Sequence, residues 1–173
     1  LATADVNGDG LMDFFVTGSI GESGRLFLGE KGGSFSLATS QPWESAAQAD
    51  DLGATFLDIN QDDAPDLYIA TGGVSVILYE NRNGTLVDVT DTRASGLAHT
   101  GMVTDATFAD LNADSKPDLI LCQEWGPVSV WMNTGSGFEE HTQELGLSEK
   151  TGWWNTVEVA DLNADGLPDL IAG

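Results

Sequence analysis

The sequence is poor in basic residues and in the side chains that carry thiol and imidazole chemistry. Its 173 residues include six Lys and Arg against 28 Asp and Glu, two His and one Cys. The single cysteine, Cys122, excludes a disulfide within the chain, and its place in the apolar run LILC predicts a buried thiol. The apolar runs fall far short of the roughly 18 residues of a membrane-spanning helix, so we expect no direct membrane insertion.

The formal charge of −22 restricts the partners of the chain. It would repel the phosphates of nucleic acids and the surface of an anionic membrane. Disordered chains are also often acidic, but here apolar residues recur in regular short runs, which predicts a folded protein. No segment has the 3.6-residue apolar period over the length of an ordinary helix, so we predict an all-β fold.

What the sequence does contain is one nine-residue acidic motif in four copies. The copies, which we call loops 1 to 4, read DVNGDGLMD, DINQDDAPD, DLNADSKPD and DLNADGLPD, and they begin 53, 52 and 51 residues apart. Each has Asp at position 1, Asn at 3, Asp at 5 and Asp at 9. Hard oxygen donors on alternate residues are what a short loop needs to wrap Ca²⁺.

We therefore predict up to four calcium sites. The side chains at positions 1, 3, 5 and 9 would supply oxygens, and position 7 its backbone carbonyl, which explains why position 7 varies. The predicted ligands are Asp5, Asn7, Asp9, Leu11 and Asp13; Asp58, Asn60, Asp62, Ala64 and Asp66; Asp110, Asn112, Asp114, Lys116 and Asp118; and Asp161, Asn163, Asp165, Leu167 and Asp169.

Other metals and other loop types fit less well. An EF-hand needs Glu at position 12, where these repeats have apolar strand residues. Zinc is disfavoured because the loops hold no His or Cys, and magnesium because it demands a near-ideal octahedron. Position 6 requires an unusual backbone angle, which suits Gly10 and Gly166 better than Asp63 and Ser115. Loops 2 and 3 are therefore expected to be weaker or more strained.

The spacing of the apolar runs predicts a β-propeller segment. Short runs rich in β-branched and aromatic residues flank each loop, and two more complete each full repeat. Four strands in about 50 residues, repeated in tandem, are typical of four-stranded antiparallel blades. We place repeats at about 1–51, 52–103 and 104–153 and a half-repeat at 154–173. Since closed propellers need roughly four to eight blades, we expect a piece of a longer protein, whose open blade edges favour self-association.

The loops and their flanking runs resemble the FG-GAP/VCBS repeats of the integrin α-subunit-type β-propeller. Residues 96–121 and 151–173 are also similar to bacterial secreted proteins in which such repeats precede an ASPIC/UnbV domain, which is absent from this chain. The resemblance spans essentially the whole sequence. It implies a calcium-bearing propeller that is extracellular, attached to the cell surface or periplasmic. Asp63 and Ser115 depart from the usual Gly of the family.

Four residues are candidates for contact with a ligand. Glu124 and Trp125, in QEWGP, pair an acid with an aromatic ring, as in a sugar-binding site, but a Trp packed at a turn is the interpretation that we favour. Trp153 and Trp154 are adjacent, so one is expected to pack between blades while the other faces a ligand.

We predict no catalytic residues, because the two histidines lie in different repeats and no Ser/His/Asp order or phosphate loop is present. The sequence thus favours a non-catalytic, calcium-binding module for extracellular adhesion or for recognition of a protein or a glycan. The alternatives are the propeller of a polysaccharide lyase or hydrolase with its site near Glu124, and a purely structural spacer.

Overall fold

A computed structural model describes residues 1–45, 50–72 and 76–173 of the chain. The described residues form 15 β-strands, one short α-helix and two 3-10 turns, Pro42–Ser45 and Ser95–His99. In chain order the elements are β1 (Ala2–Ala4), β2 (Asp13–Val16), β3 (Arg25–Gly29), β4 (Phe35–Leu37), β5 (Asp50–Leu57), β6 (Asp66–Gly72), β7 (Val76–Arg82), β8 (Thr85–Asp88), α1 (Thr90–Arg93), β9 (Val103–Ala109), β10 (Asp118–Pro127), β11 (Ser129–Asn133), β12 (Phe138–Glu140), β13 (Thr151–Trp153), β14 (Val157–Ala160) and β15 (Asp169–Ala172). No helix in this part of the chain is long and apolar enough to cross a membrane.

The strands form antiparallel sheets that follow the sequence repeats. Strands β1 to β4 make one sheet and β5 to β8 a second, each in chain order. Strands β9 to β12 make the third, to which β13 is added, and β14 pairs with β15 in the fourth. We call these sheets blades 1 to 4. They confirm the predicted β-propeller segment of four-stranded antiparallel blades, with a half-blade at 4.

Blade 3 departs from the predicted pattern. The apolar run at 119–122 predicts a second strand, but β10 continues to Pro127, and β13 begins at Thr151, within a segment (143–152) whose sequence predicts a loop. β10 pairs with β9 as far as Gln123 and with β13 from Glu124 to Pro127, and its register against β13 shifts between Glu124 and Gly126. The predicted loop at 41–51 lies partly outside the described residues, and its described part holds a 3-10 turn and the first residues of β5.

The core consists of three apolar clusters, each between two successive blades. Because strand side chains alternate between faces, Leu67 and Ile69 of β6 pack toward blade 1, whereas Tyr68 packs toward blade 3. In β10, Leu119 contributes to the cluster with blade 2, and Cys122 to the cluster with blade 4. Both faces of these strands are therefore covered, which explains their nearly continuous apolar sequence and confirms the buried thiol.

The first strands of successive blades lie side by side. β1 contacts β5, β5 contacts β9, and β9 contacts β14. Each acidic loop joins the first strand of a blade to the second, so the loops share one end of the strands, which we call the loop face. Gln61 Nε2 in loop 2 donates to the carbonyl of Ser115 in loop 3 at 2.7 Å, so these two loops touch. The opposite end is the distal face.

Candidate functional site

The four acidic loops share one backbone conformation. Two positions are left-handed in every loop, with φ of 61° to 72° at position 4 and 64° to 85° at position 6. They are Gly8, Gln61, Ala113 and Ala164 at position 4, and Gly10, Asp63, Ser115 and Gly166 at position 6. Position 6 confirms the unusual angle expected from the sequence. Position 4 was missed, because three of its four residues carry side chains that do not indicate a positive φ.

Replacing Ser115 by Gly is expected to raise stability. A left-handed non-glycine residue costs about 1–2 kcal/mol, and the greater chain entropy of glycine offsets part of the gain. We expect a net stabilisation of about 0.5–1 kcal/mol in urea denaturation. The matched control is Gly10→Ser, which places the same side chain at the same position of loop 1 (φ 84°) and should destabilise. A loss of stability in Ser115→Gly would show that position 6 is not strained.

The loop side chains fold back on the amides of their own loop. In loop 1, the two carboxylate oxygens of Asp5 accept hydrogen bonds from the amides of Asp9 (3.0 Å) and Gly10 (2.8 Å). Asn7 Oδ1 also accepts from the Asp9 amide, and Asp9 Oδ1 accepts from the Leu11 amide. Loops 2 to 4 repeat this set at the equivalent positions. Each loop is therefore shaped by its own acidic and amide side chains.

The Asp at position 9 is a clamp between the loop and the third strand. In loops 1 to 3 it is fully buried, and its oxygens accept from the position-2 amide of its loop and from an amide near the end of the third strand. The pairs are Val6 and Gly29 on Asp13, Ile59 and Asn81 on Asp66, and Leu111 and Asn133 on Asp118, at 2.7–3.0 Å. Asp169 accepts from the Leu162 amide at 2.9 Å. The clamp was not predicted, and a metal-ligand role for these carboxylates stays a prediction.

Two asparagines connect the clamps of loops 2 and 3 to the preceding blade, one for each clamp. Asn81 Nδ2 donates to the carbonyl of Val6 at 2.8 Å, and Asn133 Nδ2 donates to that of Ile59 at 2.9 Å. Val6 and Ile59 are the position-2 residues whose amides the preceding clamps hold, so a continuous series of hydrogen bonds runs from loop 1 to loop 3. From the sequence, Asn81 and Asn133 were interpreted only as residues at or near a turn. Their role could have been suspected because both occupy the same place before the hairpin turn of their repeats.

Loop 3 differs from the others by an internal cation. Lys116 Nζ donates to Asp114 Oδ2 at 2.9 Å. In loops 1, 2 and 4 the corresponding Oδ2 of the position-5 Asp instead accepts from the side-chain amide of the position-3 Asn. The hydrogen bond from Lys116 lowers the pKa of Asp114 below its ordinary value. Within the described residues, this is the one ion pair that involves a loop carboxylate. In loop 3, Lys116 thus neutralises part of the negative charge of the loop.

The predicted donor set fits calcium by its chemistry, since every donor is a carboxylate, amide or carbonyl oxygen. No three His, Cys, Asp or Glu side chains form a metal-binding group in the described chain. A bound shell would therefore need the Asn side chain and the position-7 carbonyl as well. In loop 2, burial raises the pKa of Asp66 to about 6, and the negative charges of Asp62 and Asp58 add to the rise. The two amide hydrogen bonds to Asp66 act in the opposite direction but are outweighed. A bound cation would favour the ionised carboxylates.

Two of the four residues that were candidates for contact with a ligand, Trp125 and Trp153, form an exposed aromatic pair on the distal face. Trp125 and Trp153 are 73% and 58% exposed, and their ring centroids lie 5.0 Å apart at 45°. We call this pair the tryptophan ledge. Trp125 follows Asp118 by seven residues along β10, which places it roughly 20 Å from the loop face. The favoured interpretation of Trp125 as a packed residue was wrong.

The strand extension of blade 3 explains this exposure. Trp125 lies at the register shift between Glu124 and Gly126 and has a φ of 63°, so its side chain leaves the alternation of the strand. Glu124 is paired with Trp153 across β10 and β13. Trp154 instead packs against the cluster between blades 3 and 4, and its indole donates to the Lys150 carbonyl. One Trp of the adjacent pair is thus packed and the other exposed, as predicted.

Comparisons with known proteins agree with this architecture. The structure is similar to that of an Agrocybe aegerita lectin that is described by its specific recognition of non-reducing terminal N-acetylglucosamine, with a TM-score of 0.64 and 16% identity. The similarity covers 98% of this chain but 46% of the lectin chain, so this chain spans less than half of the lectin's length. At this identity the similarity shows the fold alone. A search of curated proteins gave no match.

A family model for the FG-GAP-like repeat matches the sequence three times, at residues 5–69, 58–121 and 110–172. Each match begins at the first Asp of one acidic loop and ends in the strand after the next loop. The repeat unit of the family therefore coincides with the loop spacing of this chain. Since the matches together extend from residue 5 to residue 172, the chain belongs to the FG-GAP-like repeat family.

Proposed function

We propose that this propeller segment is a non-catalytic recognition module that binds a glycan at the tryptophan ledge of its distal face. The observation that carries the proposal is the exposure of Trp125 and Trp153 side by side. Large aromatic faces give much contact area at little cost in conformational entropy, and the indole N–H at the ring edge can donate a hydrogen bond to a polar ligand. The lectin that shares the fold is described as recognising a sugar, which supports this ligand class.

The backbone at Trp125 supports the same assignment. A φ of 63° is unusual for a bulky aromatic residue, and such strain is concentrated at functional sites. The strain is not offset by burial of the Trp125 ring, which remains 73% exposed. A ligand that covers the ring would supply the missing burial.

Calcium has a structural role in this proposal and does not touch the ligand. The acidic loops lie at the opposite end of the strands from the ledge, so bound ions would neutralise crowded carboxylates and hold the blades in register. Extracellular calcium modules bind their ion at about 10⁻⁴–10⁻³ M. Such affinities suit a calcium-rich exterior, and we propose that the protein acts outside the cytoplasm, at a cell surface or in the periplasm, where adhesion is one use of such a module.

Replacing either ledge residue by Ala is expected to weaken glycan binding at least about tenfold, because truncation of an aromatic hot spot typically costs 2 kcal/mol or more. Trp125→Ala and Trp153→Ala would be compared on a glycan array in calcium buffer, with calorimetry on the best ligand. Leu37→Ala is the control, since Leu37 is also exposed (51%) but lies in blade 1. Unchanged affinity in both Trp variants would remove the ledge as the binding site.

The same glycans would be tested for cleavage. Glycoside hydrolysis commonly uses two carboxylates, about 5–9.5 Å apart, whereas the cross-strand partner of Glu124 is Trp153. We therefore expect glycans to be recovered intact after incubation. Product formation that is lost in Glu124→Gln would instead assign the segment to a polysaccharide-active enzyme.

A further inference from the structure

A small cavity lies between blades 2 and 3. Its volume is about 110 Å³, and its walls come from β5, β6 and β9. β5 shifts register between Asp51 and Gly53, and a Cβ placed on Gly53 would meet no atom within 4 Å. Thr104, a lining residue, donates from its Oγ1 to the carbonyl of Trp154 at 2.6 Å, and Trp154 directly follows Trp153 of the ledge in the chain.

The cavity is lined by a buried tyrosine whose hydroxyl has no hydrogen-bond partner among the described residues. Tyr68 is 2% exposed, its ring packs edge-on against Phe108, and no described donor or acceptor pairs with its Oη. The neighbouring carboxylate is already engaged, because the Asp105 oxygens accept from the amides of Ala106 and Val157 and from Thr156 Oγ1. Leaving a buried polar group without a partner destabilises a protein, so an occupant that accepts this hydrogen bond is favoured.

The walls restrict the chemistry of that occupant. Burial raises the pKa of Tyr68 well above its ordinary value, and Asp105 adds to the rise, so the hydroxyl stays protonated and can donate. The chain's charge of −22 disfavours an anionic acceptor. Ala70 and Ala106, which both belong to the apolar cluster between blades 2 and 3, provide apolar wall, which favours a methyl group beside the acceptor. The volume holds roughly three to four heavy atoms, since a water molecule takes up about 30 Å³.

We infer that the cavity between blades 2 and 3 is a subsite for the acetamido group of an N-acetylhexosamine, with Tyr68 Oη donating to the acetyl carbonyl. The inference rests on the proposed glycan recognition and assigns it a sugar class. An acetamido group joins one neutral acceptor to one methyl group in four heavy atoms, which matches the donor, the apolar walls and the volume. The tryptophan ledge, which is connected to the cavity wall through Trp154 and Thr104, would contact the sugar ring.

The test compares methyl N-acetyl-β-glucosaminide with methyl β-glucoside, which differ in the acetamido group. Calorimetry in calcium buffer should give at least tenfold tighter binding of the N-acetylated sugar. In ligand-observed NMR, saturation should transfer most strongly to the acetyl methyl. Tyr68→Phe removes only the unpaired hydroxyl, so the fold should be retained while the preference falls about fivefold or more, as expected for loss of one hydrogen bond of about 1 kcal/mol. Tyr79→Phe, at the other buried tyrosine, should leave the preference unchanged.

A second variant fills the cavity. Gly53→Val has space for its side chain and should abolish the preference while leaving the weaker binding of the plain glucoside intact. Equal affinities for the two sugars, with binding still dependent on the ledge, would overturn the subsite and leave the proposed function standing. Absence of binding by either sugar, with Tyr68-dependent binding of an acetylated peptide, would overturn the assignment to a glycan. If no binding depends on Tyr68, the cavity holds only water, and the inference is overturned.

Discussion

Chelation of calcium by EDTA is expected to lower the melting temperature of this protein by at least about 10 °C. An ion present at 100 times its dissociation constant stabilises the folded state by about 2.7 kcal/mol per site. For a chain of 150–250 residues, 1 kcal/mol changes the melting temperature by about 2–4 °C. Two occupied loops of the predicted four would already account for the expected shift. Circular dichroism melts in calcium, and in EDTA, measure it.

Two comparisons make this result specific. EDTA saturated with calcium beforehand should leave the melting temperature unchanged, and excess magnesium added to the EDTA sample should fail to restore it, since magnesium requires a near-ideal octahedron. Asp58→Asn, at a predicted ligand, should reduce the calcium-dependent part of the stability. Asp63→Asn changes the same charge in the same loop, but at a position with no predicted ligand role, and should not reduce it. Identical melts with and without EDTA would reject the structural metal.

The metal loops and the blades could be predicted from the sequence because their determinants are local. All proposed ligands of one loop lie within nine residues, and the strands that flank them repeat with the same period. The apolar runs of β6 and β10 also revealed that both of their faces are buried. What a local pattern specifies is therefore the repeated unit.

The features that differ between blades could not be predicted because they depend on distant segments. Trp125 is exposed because β13, contributed by residues 151–153, pairs with the end of β10 and displaces it from the regular strand alternation. Tyr68 reads as an ordinary core residue in the run LYIA. Among the described residues its hydroxyl has no partner, and the cavity that it lines is formed with β9 of the next blade, whose Asp105 accepts hydrogen bonds from Thr156 and Val157. The exposure of Trp125 and the environment of the Tyr68 hydroxyl therefore both depend on contacts between repeats.

Replacing Asp118 by Ala is expected to destabilise the protein by about 3–5 kcal/mol, which is the cost of two buried amides that lose their acceptors. The amides of Leu111 and Asn133 donate to its two oxygens at 2.9 and 2.8 Å, and its carboxylate is fully buried. The matched control is Asp169→Ala in loop 4, where the described residues place one amide, that of Leu162, on the carboxylate. Urea denaturation should show a clearly smaller loss there, and equal losses would contradict the clamp.

Measurement in EDTA separates the clamp from the predicted metal site. A metal ligand contributes to stability only while the ion is bound, so a variant that had lost nothing else would match the wild type after chelation. The clamp bonds of Asp118 are made to two backbone amides, which are hydrogen-bond donors that need no ion. Asn133 also donates from its side chain to Ile59 in loop 2, so loss of the clamp should loosen the contact between blades 2 and 3 as well. We therefore expect most of the destabilisation by Asp118→Ala to persist in EDTA, and its disappearance there would assign this carboxylate to the metal alone.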